Sequence, residues 1–191
     1  MTKNIILIFG SSGSGSTTMA RAVAETYDYH FIDSDDCIWE KTDPPFTHRL
    51  SDEKAWDLLN EEIDHHEKIV ISGSIVGFGD PLKPKIDLIV YMDLPLDVRL
   101  KRIQKREQRR FGDRVKPGGD LYEQHLDFLE WVSKYDELGE DVRSKKQHLK
   151  WIENMDVPIM SIQEIHTVDE LLDIINPHIK AIEKGDRNHA D

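Results

Sequence analysis

Apolar and polar positions alternate in blocks along the chain. Ile5–Phe9 is an unbroken apolar run ending at Gly10. Such a run predicts a strand buried on both faces, as in a central parallel sheet. Met19, Ala20, Val23 and Ala24 then recur at helical spacing and predict a helix over 17–26. Tyr29–Ile32 reads as a second strand, followed by three aspartates within residues 33–36. A short helix is expected over Asp36–Glu40, with Asp36 as its cap. Asp43-Pro-Pro45 reads as a loop, and Ser51 starts a helix with a stripe at Ala55, Leu58, Leu59 and Ile63. Lys68–Ser72 and Ile86–Met92 predict a third and a fourth strand, and a helix follows Asp93–Pro95. Two more helices are expected at about 121–138 and 143–154, a fifth strand at Val157–Ile162, and a closing helix carrying Val168, Leu171, Leu172, Ile175, Ile179 and Ile182. Five strands alternating with helices predict one α/β domain over 1–191, a three-layer α/β/α fold around a parallel sheet.

Composition narrows the partners. The chain has 191 residues, with 37 Asp plus Glu against 25 Lys plus Arg, a net charge of −12. So acidic a surface repels polyanions and argues against nucleic acid or an anionic membrane as partner. No apolar run approaches a membrane span, and the opening apolar run is too short for a signal-peptide core; the expectation is a cytoplasmic protein. Cys37 is the single cysteine, which excludes an intrachain disulfide. His65-His66 are adjacent on a helix, so they do not share a face for a metal. His125 is expected to pack locally. Sequence patterning leaves the oligomeric state open.

Candidate chemistry starts between the first strand and the first helix. Gly10-Ser11-Ser12-Gly13-Ser14-Gly15-Ser16-Thr17 fits the phosphate-loop pattern G-x-x-x-x-G-K-[ST] at each fixed position except the lysine, which is Ser16. Backbone N–H groups of Ser11 to Thr18 at a helix N-terminus form an anion site without side-chain charge. Thr17 stands where a hydroxyl holds Mg²⁺. The missing lysine leaves a polyphosphate without its usual cation. Asp33 and Asp35 close the second strand at the carboxyl edge of the sheet, where ligands bind in open α/β folds. In extended geometry the two point the same way, suited to holding Mg²⁺ through water and accepting a proton from a hydroxyl. Trp39, Pro44, Pro45, Phe46, Arg49 and Trp56 cluster between strands two and three, suited either to stacking and clamping a ligand or to a small apolar core. Ser72-Gly73-Ser74 allows close approach of a ligand after strand three. Residues 101–116 hold eight Lys or Arg in sixteen, and Arg99, Arg102, Arg106 and Arg109 or Arg110 recur on one helical face.

The phosphate loop together with Phe31-Ile-Asp-Ser-Asp35 resembles the small P-loop kinases of the shikimate kinase, gluconate kinase and adenylate kinase group, and most resembles bacterial adenylate-kinase-like proteins lacking that lysine. The resemblance covers roughly 1–115 by motif and 155–183 by topology. It implies ATP and Mg²⁺ as cofactors, with Thr17 and Asp33 on the metal. Asp33 also takes a metal or base role, and Asp35 the acceptor contact. An insertion over about 39–67, with Trp39, Phe46 and Arg49, closes over a small-molecule acceptor. A lid over about 104–120 carries Arg106, Arg110 and Arg114 to the transition state, with Arg143 as a later addition, and one of them replaces the lysine by lid closure. Trp39 stands where shikimate kinases have glutamate, and strand three ends without a Walker B aspartate. The expected function is transfer of the γ-phosphate of ATP to a small acceptor. The alternatives are a nucleotide-binding switch without transfer, or slow ATP hydrolysis.

Overall fold

A computed structural model describes residues 3–185. In chain order the elements are β1 (Asn4–Gly10), α1 (Ser16–Tyr27), β2 (His30–Asp33), α2 (Ser34–Ile38), α3 (Asp52–Asp64), β3 (Lys68–Ser72), β4 (Leu88–Met92), α4 (Leu96–Phe111), α5 (Tyr122–Lys134), α6 (Lys145–Ile152), β5 (Ile159–Ile162) and α7 (Val168–Glu183). Single 3₁₀ segments lie at Asp80–Lys85 and Gly112–Val115. The five strands are all parallel, in the order β2-β3-β1-β4-β5. This is the P-loop type of three-layer α/β/α fold. The polar tail after Gly185 lies outside the described residues.

Alternation along β1 divides the core between the layers. Ile5, Leu7 and Phe9 face the layer of α2, α3 and α6, where Leu59, Ile63, Trp151 and Ile152 cover them. Ile6 and Ile8 face α1 and α7, meeting Met19, Val23, Ile175 and Ile179. β1 is apolar throughout because both its faces are covered. Among the described residues no helix is long and apolar enough to cross a membrane.

The strand order sets where a ligand can enter. The chain leaving β1 goes to β2 on one side, and the chain leaving β3 crosses back to β4 on the other. The connections diverge at β1, and the crevice beyond the carboxyl ends of the strands opens there. Register brings Asp33 beside Ser72 and Gly10 beside Met92 at that edge. α4 and α5 rise over this edge. α4 buries only Arg99, Ile103 and Glu107, one residue per turn, so most of its surface is free to face the crevice or solvent.

Candidate functional site

The β1–α1 loop is shaped by its glycines. Gly13 and Gly15 have φ of 82° and 102°, a backbone region that side chains rarely adopt. A Cβ on Gly10 would stand 2.0 Å from the Met92 carbonyl oxygen. Ser11 N donates to that same oxygen at 3.3 Å, so the loop is drawn against the end of β4. Gly15 caps α1 with no side-chain hydrogen bond, which leaves the first N–H groups of α1 open to the crevice. The hydroxyls of Ser11 and Ser14 are buried and lack a hydrogen-bond partner. Buried polar atoms normally have partners, so these fit a ligand rich in acceptors. The loop from Gly10 to Thr18 lines a cavity of about 520 Å³.

The aspartates adopt a different local structure from the expected one. Helix α2 starts at Ser34, and its cap is Asp33, which accepts from Asp35 N at 3.2 Å. Asp36 lies exposed in the first turn and is not the cap. The turn follows from the side chain of Asp33 satisfying a helix N–H before any longer strand can form. Asp33 and Asp35 therefore do not meet by strand alternation, yet both line the phosphate-loop cavity. Burial, then the charge of Asp35, pushes the Asp33 carboxyl above the usual carboxylate range. A carboxylate disfavoured in this way is eased by a cation. Thr17 lines the same cavity, so the donor set of a hydroxyl and a carboxylate fits Mg²⁺.

A second cavity of about 280 Å³ adjoins the first. Trp39 and Phe46, edge to face at 6.0 Å, form one wall. Phe111 at the end of α4, Leu121 at the cap of α5 and Phe128 from α5 form another. Four residues line both cavities: Ser12, Asp35, Arg106 and Arg143. Arg49 is not at this cavity. It pairs with Asp52 at 2.7 Å, about half exposed. Gly73 lines the first cavity, held by its N–H on Ile8 O at 3.1 Å, whereas Ser72 and Ser74 are buried and line neither.

The arginines divide by what holds them. Arg106 bonds Glu107 at 3.0 Å and stands over Phe128. Arg110 stands 5.2 Å over Phe46 and lines the first cavity. Arg114 lines neither cavity; Asp43 and Asp120 hold it, each at 2.6 Å, and so tie the turn after α4 to the Pro44-Pro45 loop. Arg99 is fully buried, donating to Leu94 O at 2.8 Å and pairing with Asp136. Arg143 has a buried Nε without a partner. Arg102, which the sequence placed on the arginine face without a role, donates to Ser14 O at 3.0 Å. Helix α5 also brings Gln124 and His125 to the second cavity, and the His125 Nδ1 is buried without a partner. Leu121, Gln124, His125 and Phe128 recur at helical spacing, the signal by which this face is readable.

His30, Glu62 and His66 gather near the amino ends of β2 and β3, the opposite edge of the sheet from the phosphate loop. The two imidazoles stack 3.5 Å apart and 9° from parallel. Their in-plane lone pairs run side by side rather than converging on one ion.

Comparison with known proteins places these features in a family. The AAA domain matches residues 6–116. A Bacillus subtilis (strain 168) protein, the uncharacterized YqaC, is 34% identical over 181 residues, covering 95% of this chain and 99% of its own. A cytidylate kinase of Methanosarcina barkeri (strain Fusaro / DSM 804) is 29% identical over 114 residues, which span 54% of this chain and 63% of that kinase. Among solved structures, a shikimate kinase from Bacteroides thetaiotaomicron superposes with a TM-score of 0.55 at 20% identity, covering 91% of this chain and 98% of its own.

Proposed function

The chain belongs to the AAA-domain family of P-loop proteins, and on that premise we propose that it is a kinase moving the γ-phosphate of ATP to a hydroxyl of a small acceptor. The observation that carries this reading is the seam between the two cavities, where Ser12, Asp35, Arg106 and Arg143 line both. A switch that only binds nucleotide needs the first cavity alone. A hydrolase needs water at the seam, not a second chamber walled by Trp39, Phe46, Phe111 and Phe128.

The nucleotide would sit with its phosphates on the N–H groups of Ser12, Gly13 and Gly15 to Thr18, since those of Ser11 and Ser14 donate to Met92 O and Ser11 O, and with its γ-phosphate toward the seam. Thr17 and Asp33 would hold Mg²⁺, which neutralises phosphate charge when bound. The acceptor lies in the second cavity, its hydroxyl toward Asp35. Asp35 takes the hydroxyl proton as the oxygen bonds to phosphorus and the bond to the β-phosphate oxygen breaks, releasing ADP. Arg106 and Arg143 stand at the same seam, on hand for the charge spread over the transferring group. The cytidylate kinase resemblance supports phosphoryl transfer to a small molecule as the type of reaction.

Incubation with Mg²⁺ and ATP and a pool of small metabolites tests the reading. Mass spectrometry should find one compound gaining the mass of a phosphate as ADP appears. ADP and free phosphate without a phosphorylated product would favour hydrolysis. Nucleotide binding with no ADP formed would favour the switch.

A further inference from the structure

With Ser16 in the place of lysine, a triphosphate bringing about four negative charges needs another fixed cation near the loop. Of the arginines that the sequence offered, Arg114 is held away from the cavity by Asp43 and Asp120; Arg106, Arg110 and Arg143 line the cavity, Arg106 paired with Glu107 and Arg110 over Phe46. Arg102 already rests on the loop. Its Nη1 donates to Ser14 O at 3.0 Å and lies 3.3 Å from where a Cβ of Gly15 would be. Arg102 also lines the phosphate-loop cavity.

The helix that carries Arg102 is pressed against the loop. A Cβ on Gly13 would come within 2.7 Å of Arg99 O and 3.0 Å of the Ile103 side chain, so α4 touches the loop on both sides of Arg102. Arg99, buried on Leu94 O and Asp136, pins the helix there. The guanidinium is therefore placed before any ligand arrives, by packing and by one hydrogen bond. One Nη1 hydrogen bond leaves its other donors for phosphate oxygens, and arginine keeps its charge at any physiological pH.

We propose that Arg102 supplies, from α4, the phosphate-binding charge that the loop lacks at Ser16, and that its ligand is the polyphosphate chain. This rests on the nucleotide reading of the loop and adds that no lid closure is needed to bring the charge.

Calorimetry with inorganic tripolyphosphate, which has no base or sugar, tests the proposal beside Mg²⁺-ATP. Arg102→Gln keeps a donor for Ser14 O but loses the charge. It should weaken tripolyphosphate at least about tenfold, a hydrogen bond to a charged group being the scale of the loss. Adding Ser16→Lys to Arg102→Gln should restore most of the affinity, because the charge returns from the other side of the loop. Thermal melts of both variants should stay near the parent. Unchanged tripolyphosphate affinity in Arg102→Gln, with only ATP weakened, would assign Arg102 to the base and overturn the proposal. Failure of Ser16→Lys to restore binding would also overturn it. A parent protein that binds neither tripolyphosphate nor ATP would instead overturn the nucleotide reading itself, and this inference with it.

Discussion

Gly13 has no room for a methyl group: backbone and side chain of α4 occupy the place from the far side. Gly13→Ala should therefore push α4 off the loop, at a cost of about 1–3 kcal/mol typical of overpacking. In a chain of this size that lowers the melting temperature by several degrees, at about 2–4 °C per kcal/mol, and nucleotide affinity should fall with it. Asp33 behaves in the opposite sense. Its folded carboxyl is raised by burial and by Asp35, so the folded state holds its proton more tightly than the unfolded one. Stability from this group is then greatest when Asp33 is protonated and falls as pH rises through the range above the unfolded value of about 3.9. Asp33→Asn keeps the oxygen that caps α2 and removes the charge, so it should melt higher than the parent at pH 7. The gain should vanish near pH 3, and phosphate transfer should be lost. Melting curves at the two pH values check both signs. At this scale the glycines and aspartates were legible in the sequence, since fixed spacing marks them. The cap was not: three neighbouring aspartates compete for one helix start, and only the folded turn selects Asp33. Nor was the role of Arg102, because arginines three and four apart share a face whichever one meets the loop.

Helix α6 shows how an element is held. Tyr91, Tyr135 and His148 form a buried chain, with 3.1 Å between the tyrosine hydroxyls and 2.7 Å from Tyr135 to His148 Nδ1. Burial, and then the charge of Arg143, pushes His148 down to about 3, so it is neutral in the folded protein. The unfolded chain takes a proton near pH 6.5, and the folded one does so only near pH 3. Stability from this group is complete above the first value and is lost as pH falls between the two, by up to about 1.4 kcal/mol per pH unit. His148→Gln should be less stable at pH 7.5 but should lose less than the parent on acidification to pH 4. Denaturant titrations at the two pH values would show it, and equal losses in both proteins would remove His148 as the cause. The helices and strands were legible from periodicity to within a few residues, with β4 and β5 each starting two residues later than the apolar pattern suggests. Less legible was what α4 and α5 do together. A helix that buries only Arg99, Ile103 and Glu107 looks like a solvated basic helix, and its partners come from more than twenty residues along the chain.

Across the whole molecule, an acidic surface encloses one concentration of arginine at the carboxyl edge of the sheet, where two cavities meet. Arg106→Ala and Arg143→Ala should each lower kcat by about 100-fold, the scale of losing one donor to a developing charge, with a smaller loss of ATP affinity. The sequence pointed to the phosphate loop and to Trp39 and Phe46 on the acceptor side, but not to the wall that Phe111, Leu121, His125 and Phe128 add to the second cavity. Nor did it point to the junction of the two cavities, because that joins Ser12, Asp35, Arg106 and Arg143 from four distant stretches of chain. That junction is the centre of the kinase reading, and Asp35 is its test. The measurement is the dissociation constant for Mg²⁺-ATP and the rate of phosphate transfer to the acceptor found by the metabolite screen, in parent and Asp35→Asn side by side. Equal ATP affinity with transfer lowered by about 100-fold or more is the predicted result, a general base being worth about 10²–10⁴. Normal transfer by Asp35→Asn would contradict the account, since the seam would then be doing no chemistry.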